Sequence, residues 1–130
     1  MNLVEMKPAE LIKAAEQQAR QLSRVKTHQL RNIFGSISKM RNDFKSVLRA
    51  PEGERNYENL EMSLTLLKPQ MAYAAARQRA IRSDFYPFMI KAIESVEEAH
   101  TQDDATFERA MERFFSLMES LIAYHKFHGG

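Results

Sequence analysis

The stretch from Thr27 to Arg49 repeats apolar residues at three- and four-residue steps, and this spacing constrains the fold more than any other feature. A helix advances about 100° per residue, so its apolar side chains would share one arc: Leu30, Ile33, Phe34, Ile37, Met40, Phe44, Val47 and Leu48. One flank of that arc is cationic and hydroxylated: Thr27, Arg31, Ser38, Arg41, Lys45 and Arg49. The stripe must be buried, so the pattern predicts an amphipathic helix with one basic edge. Basic side chains also lie along core edges with their charges in water, so the edge alone does not establish a binding surface.

The composition favours an all-α fold. Val, Ile and Thr are scarce, and Gly and Pro number only four each, which is too few for a sheet with its turns. Helix-forming residues dominate instead. A chain of 130 residues is long enough to bury about two-thirds of its unfolded surface, so we predict a single-domain bundle of about five helices over residues 1–130. The chain has no Cys, which excludes disulfides and thiolate chemistry.

Proline, glycine and capping residues divide the chain into these helices. Residues before Pro8 are expected to form a loose arm, and Pro69 predicts a kink or a short break. The predicted helices run from Pro8 to about Ser23, from Thr27 as a possible N-cap to about Ala50, from Asn56 towards Ala80, from a cap at Ser83 or Asp84 onwards, and from Asp103 or Asp104 to about Tyr124, before Gly129 and Gly130. A continuous helix across Ser23–Lys26 is the alternative to a break there.

The charges are unevenly distributed along the chain. Residues 20–82 contain thirteen Lys and Arg against five Asp and Glu, whereas residues 83–130 contain four against nine. A basic middle section suits a polyanion, and an acidic C-terminal section suits solvent or a basic neighbouring protein. The alternative is a monomer whose oppositely charged halves dock on each other.

No catalytic or metal-binding constellation emerges from the sequence. There is no glycine-rich phosphate loop and no nucleophile elbow. Glu97 and His100 form one Glu-x-x-His motif, which a di-iron bundle needs twice, and His125 and His128 share a helix face without a third zinc ligand. Three of the four histidines lie near predicted helix ends, where an imidazole is solvated or favoured by the helix dipole. We therefore expect no enzyme activity, no cofactor and no metal.

Membrane and secretion signals are also missing from the sequence. No apolar run approaches the about 18 residues of a membrane span, and no basic n-region with an apolar h-region opens the chain. We therefore expect a cytoplasmic protein without a membrane partner.

Three separated blocks of the sequence resemble the hallmark stretches of a known family. They are THQLRNIF at residues 27–34, LLKPQMAYAAAR at residues 66–77 and AYHKFHGG at residues 123–130. In this order, the blocks make the chain similar over most of its length to the Csm small subunit of type III-A CRISPR effector complexes. The family commonly has tyrosine where this chain has His128, and glycine near Ala76.

The resemblance implies a non-catalytic, all-helical subunit that stacks in a row inside an antiviral ribonucleoprotein. The partners it implies are the guide RNA and its paired target RNA, the backbone and large subunits of the complex, and neighbouring copies of the subunit itself. Target cleavage in such complexes belongs to the backbone subunits. Holding a duplex regardless of its sequence calls for Lys, Arg and hydroxyl donors on rigid elements. The candidate RNA-binding residues are Lys26, Thr27, Arg31, Arg41, Lys45, Arg49, Lys68, Tyr73, Arg77, Arg79 and Lys126.

Other interpretations stay open for three of these candidates. A tyrosine in an alanine-rich turn is more often half-buried than stacked on a sugar, so Tyr73 is expected to pack. Lys68 and Arg77 have an alternative as caps of backbone carbonyls or as partners of Glu61.

Two rival functions are also compatible with the sequence. One is a protein-only helical adaptor or dimeric bundle whose basic flank docks an acidic partner. Generic polyanions such as heparin would displace RNA from a binding surface, but they would not displace a packed helix. The other is a sequence-specific DNA-binding regulator, which ranks lowest because no recognition helix follows a short glycine-containing turn.

Overall fold

The computed structural model describes residues 1–129, which form five α-helices and, within that range, no strand. The helices are α1 (Pro8–Gln21), α2 (Arg31–Val47), α3 (Glu58–Arg77), α4 (Tyr86–His100) and α5 (Asp104–Phe127). A 3₁₀ turn at Thr27–Gln29 precedes α2, and a π-helical turn at Ile81–Phe85 precedes α4. The prediction of an all-α bundle of about five helices is confirmed. No helix in the described residues is long and apolar enough to cross a bilayer.

The longest helix, α5, is the central element of the bundle. It packs against α1, α4 and α2, while α3 fills the space between α2 and α4. Two aromatic contacts fix the direction of α2, because Phe44 lies on Phe115 whereas Phe34 lies on His125. Helix α2 therefore runs antiparallel to α5, and this places its basic flank along one side of α5.

The apolar stripes predicted from periodicity form one core. On α2, Leu30, Ile33, Phe34, Ile37, Met40 and Phe44 are buried, and Val47 and Leu48 pack partly buried against them. The stripes of the other helices join the same cluster, which includes Leu60, Leu64, Leu67, Met71, Phe85, Met89, Ile93, Phe107, Phe114 and Leu121. Burying a large apolar side chain contributes about 1.5–3 kcal/mol, so this cluster is the main stabilising term of the fold.

The N-terminal residues are not the loose arm that the sequence suggested. Leu3 is fully buried, and its N–H donates to Ser95 Oγ at 3.0 Å. The Arg113 guanidinium donates to the carbonyl of Met6. Contacts with α4 and α5 therefore hold this segment in place, and contacts between residues so distant in sequence have no local signature.

The connection before α2 also differs from the prediction. Thr27 does not cap the central helix: the N–H of Lys26 donates to Gln29 Oε1 at 2.8 Å, residues Thr27–Gln29 form the 3₁₀ turn, and α2 begins only at Arg31. The alternative of one continuous helix is wrong as well, since α1 ends at Gln21.

Helix α3 ends earlier than predicted, whereas Pro69 does not break it. The helix runs through Pro69 to Arg77, and Gln78 then adopts an extended conformation (φ −129°, ψ 110°). Ser83 and Asp84 lie inside the π-helical turn, so neither caps α4 as predicted. The carbonyl of Ala75, left free where α3 ends, accepts a hydrogen bond from Arg82 Nε at 3.1 Å.

Helix α5 begins where the sequence predicted. Asp103 is its N-cap, with Oδ1 accepting from the Thr106 N–H at 2.7 Å. This hydrogen bond lowers the pKa of Asp103. The helix continues past Tyr124 to Phe127, and Gly129 follows with φ 89°, a left-handed conformation that favours glycine. The predicted role of Gly130 lies outside the described residues.

Candidate nucleic-acid interface

The basic flank of α2 lies along α5 and borders an open groove of about 270 Å³. Arg41 and Lys45 line the α2 side of this groove, with Glu112 and Glu119 on the α5 side. Arg41 forms an ion pair with Glu119. The two side chains are 43% and 47% exposed, and an ion pair this accessible to water contributes only about 0–1 kcal/mol. Arg41 is therefore paired inside the chain, but weakly.

The other cations of this flank are exposed and unpaired. Lys26, Arg31, Lys45 and Arg49 all reach solvent, and none has a carboxylate within ion-pair distance in residues 1–129. Each therefore presents a full positive charge to the surroundings. Thr27, half-buried, sits in the 3₁₀ turn at the start of this row.

Lys126 belongs to the same side of the molecule. It follows Glu119 by seven residues, about two helical turns, so the two side chains share one face of α5. Because α2 and α5 are antiparallel, Lys126 lies towards the N-terminal end of α2, where Lys26 and Arg31 are found. We call the set Lys26, Arg31, Arg41, Lys45, Arg49 and Lys126 the α2 basic edge.

A second surface lies on the opposite flank of α2, where it meets α3. An open groove of about 280 Å³ is lined by Gln29, Asn32, Gln70, Tyr73 and Arg77, among others. Gln70 Nε2 donates to the carbonyl of Asn32 at 3.1 Å across this groove. Its lining is mainly amide and aromatic rather than cationic.

Tyr73 is not half-buried, contrary to expectation. Its side chain is 65% exposed, and Arg77 folds over it, with Nη1 donating to the phenol oxygen at 2.7 Å and the guanidinium carbon 5.5 Å from the ring centroid. This cation–π pair satisfies Arg77 locally. The alternative pairing of Arg77 with Glu61 is wrong.

Lys68 and Arg79 stand apart from the α2 basic edge. Lys68 Nζ pairs with Glu97 of α4 at 2.6 Å rather than with Glu61, and this hydrogen bond raises the pKa of Lys68. Glu61 instead contacts His100. Arg79 is exposed just after the break at Gln78. Of the eleven predicted site residues, six form the α2 basic edge, Thr27 lies in the 3₁₀ turn at its start, and four lie on or just after α3.

His125, which lies near the predicted end of α5 where an imidazole was expected to be solvated, is instead buried beside the connection that leads into the α2 basic edge. His125 is fully buried, and its Nε2 lies 3.1 Å from the Leu22 carbonyl and 2.6 Å from the Val25 carbonyl. Both carbonyls are acceptors, so Nε2 carries the proton. His125 thereby ties the end of α5 to the connection that leads into Lys26. The stripe of α5 continues from Met118 and Leu121 to His125 at three- and four-residue steps, and this phase was the signal for burial.

A polar cluster fixes the loop between α2 and α3. Arg55 Nη1 donates to both carboxylate oxygens of Glu108 at 2.8 and 2.9 Å, and the Tyr57 hydroxyl donates to the same carboxylate. Burial, together with this hydrogen bond to Glu108, raises the pKa of Tyr57 to about 12. Arg55 and Tyr57 both donate to the Glu108 carboxylate, so each polar group of the cluster has a partner within the chain and the role of the cluster is structural. In residues 1–129, no group of three or more His, Asp or Glu side chains is arranged to hold a metal ion.

Comparison with known families identifies the family of this chain. The family model described as Csm2 Type III-A matches residues 5–130, nearly the whole chain. No curated protein and no solved structure matches it. The three blocks that suggested the Csm small subunit all lie within the matched range. The chain therefore belongs to the Csm2 family of type III-A systems.

Proposed function

We propose that this protein is the non-catalytic small subunit of a type III-A Csm ribonucleoprotein and that it holds guide RNA paired with target RNA on the α2 basic edge. Membership of the Csm2 family makes it the small subunit of a type III-A Csm complex. Its further partners in this proposal are the backbone and large subunits and neighbouring copies of itself, in the cytoplasm.

The observation that carries the proposal is the row of unpaired cations on one rigid helix. Arg31 and Lys45 are exposed along one flank of α2, about 21 Å apart at 1.5 Å per residue, and Arg49 is exposed in the turn that follows the helix. A row of this length would cross several phosphates of one strand. Because the cations are fixed to a helix that is packed on the core, their spacing is set before the RNA arrives.

The chemistry of the edge suits binding that is independent of base sequence. Its side chains are Lys and Arg beside Thr27 and Ser38, which donate to phosphate and ribose oxygens. The narrow major groove of an A-form duplex keeps its bases from side chains, so a subunit that serves many guides must bind the backbone. A surface of exposed cations meets that requirement without a base-reading pocket.

The first prediction tests the edge in solution. Replacing Arg31 and Arg41 together with Ala should leave helical content unchanged, weaken RNA binding and lower the slope of log K against log salt by about two or less. Titration of a labelled RNA duplex at several salt concentrations measures both quantities. The control is Lys13→Ala with Lys91→Ala, which removes the same charge from exposed positions on α1 and α4. If the Arg31/Arg41 variant keeps the wild-type affinity and slope, these two residues do not belong to the site.

The rival, a protein-only adaptor with an acidic partner, gives a different result in the same assay. Heparin should compete with RNA for the α2 basic edge, whereas an acidic protein partner packed through apolar contacts would stay bound at heparin concentrations that release RNA. Absence of salt-dependent RNA binding by the wild-type protein would favour this rival.

A further inference from the structure

The outer face of α3 is apolar and has no covering element in the described residues. Met62, Leu66 and Tyr73 are 60%, 55% and 65% exposed, although most large apolar side chains are in the core. Pro69, also exposed, lies between them. Steps of four, three and four residues place all four on one stripe of the helix. An exposed apolar stripe of this kind marks an interaction surface.

The stripe is symmetric about its own centre. Met62 and Tyr73 are equally far from the midpoint between Leu67 and Lys68, and so are Leu66 and Pro69. The same midpoint relates Glu58, an exposed acid in the first turn of α3, to Arg77, an exposed base in its last turn. A helix with this pattern is complementary to an antiparallel copy of itself.

We propose that α3 is the two-fold interface of a homodimer, with the outer faces of two α3 helices packed antiparallel. Met62 of one copy then faces Tyr73 of the partner subunit, and Leu66 faces Pro69 of the partner subunit. At both ends, Glu58 faces Arg77 of the partner subunit. The interface is isologous, because each contact occurs twice.

The size of the patch sets the expected strength. Three half-exposed side chains and a proline provide on the order of a few hundred Å² per copy, below the about 800 Å² per partner of a standard stable interface. The dimer should therefore be weak, with a dissociation constant in the micromolar range or above. Such a dimer would form and dissociate readily.

This contact is distinct from the row of copies expected in the ribonucleoprotein. A two-fold interface closes on itself, whereas a row needs a head-to-tail contact. It also leaves the α2 basic edge uncovered, since that edge lies along α5 and α3 contacts the other flank of α2. The dimer does not depend on the proposed RNA binding, and it reassigns Tyr73 and Arg77 from RNA to a second copy.

Sedimentation velocity over a range of concentrations tests the surface. Wild-type protein should show a monomer–dimer equilibrium, and Leu66→Lys should weaken it by about tenfold or more, because it places a charge at the centre of an apolar contact. The control is Ile12→Lys on α1, where the side chain is 40% exposed and the equilibrium should not change. Wild-type protein that stays monomeric at about 1 mM would overturn the proposal. So would a Leu66→Lys variant that dimerises normally, or one that loses only RNA binding.

Charge reversal tests the register. Glu58→Arg and Arg77→Glu should each weaken the homodimer, because like charges then meet at both ends. An equimolar mixture of the two variants should associate more tightly than either alone, since every reversed position faces an opposite charge. A head-to-tail contact makes only one such pairing per interface, so an absence of recovery in the mixture would refute the two-fold arrangement.

Cross-linking gives an independent check, because the chain has no cysteine of its own. Oxidation of a mixture of Met62→Cys and Tyr73→Cys proteins should yield the mixed disulfide. Met62→Cys alone should not cross-link, because two copies of position 62 are eleven residues apart along the pair, about 16 Å, beyond the about 7 Å Cα separation that a disulfide tolerates. Efficient cross-linking of Met62→Cys alone would contradict the register.

Discussion

At the scale of single residues, the charge of each candidate depends on its neighbours on the next helix. Arg41 is the example: the α2 periodicity placed it correctly on the basic flank, yet the flank meets Glu119 of α5. The sequence around Arg41 does not predict that it pairs with a carboxylate 78 positions away. Lys45 and Arg49, four and eight residues beyond Arg41 on the same flank, have no such partner in residues 1–129. The site was thus predictable as a flank, whereas the pairing within it was not.

The Arg41–Glu119 pair leads to a prediction about RNA affinity. RNA must displace Glu119 before a phosphate reaches Arg41, and the displaced carboxylate then repels the strand. Glu119→Gln should therefore tighten RNA binding by a few-fold, in line with the about 0.2–1 kcal/mol of an exposed pair. The control Glu98→Gln removes the same charge from an exposed position on α4 and should have a smaller effect. Equal affinities of the Glu119→Gln variant and the wild type would show that Arg41 does not take part in binding.

Tyr57 predicts how stability depends on alkaline pH. Burial and the hydrogen bond to Glu108 raise its pKa to about 12, above the usual value of about 10 for tyrosine, so the fold favours the protonated phenol. The contribution of this group is therefore fully present below about pH 10 and is lost as pH rises from 10 towards 12. Tyr57→Phe keeps the ring contact with Phe107 and removes the titrating hydroxyl. Urea unfolding at several pH values should show the wild type losing its advantage over Tyr57→Phe across this window. An advantage that stays constant from pH 9 to 12 would contradict the assignment.

At the scale of elements, the sequence predicted the helices better than their ends. The apolar stripes fixed which faces are buried because periodicity is a local property of each helix. The boundaries depend on distant contacts: Ser95 holds Leu3 in place, and Arg82 takes up the carbonyl of Ala75 where α3 ends. The 3₁₀ turn before α2 and the π-helical turn before α4 likewise lie at helix ends, where the backbone conformation depends on packing against the other helices. These corrections could not be derived from propensity alone.

The connection between α1 and α2 carries a prediction of its own. His125 donates to two carbonyls in this connection from a fully buried position. His125→Phe fills the site but leaves both carbonyls without this donor, which costs about 1–3 kcal/mol for a buried group and should lower the melting temperature. If His125 positions Lys26, the variant should also bind RNA more weakly than the wild type at temperatures below its melting temperature, where it is folded. A variant with wild-type RNA affinity would limit His125 to a structural role.

At the scale of the whole molecule, the fold places the basic and acidic sections of the sequence on neighbouring helices. The basic middle section and the acidic C-terminal section meet along the groove between α2 and α5, so the alternative in which the two halves neutralise each other is realised in part, at Arg41 and Glu119. The remaining cations of the α2 basic edge extend beyond that pair at both ends. One flank of α2 is thus available to a polyanion, while the outer face of α3 is available to protein.

The most direct test of the central claim is photo-cross-linking in the assembled complex. A photoreactive residue at Lys45, in protein purified within its native ribonucleoprotein, should cross-link to guide or target RNA, because Lys45 is an exposed, unpaired cation of the α2 basic edge. The same residue at Lys91, exposed on α4, should give no RNA adduct. Cross-links from position 45 to protein alone, in complexes that contain guide RNA, would contradict the account.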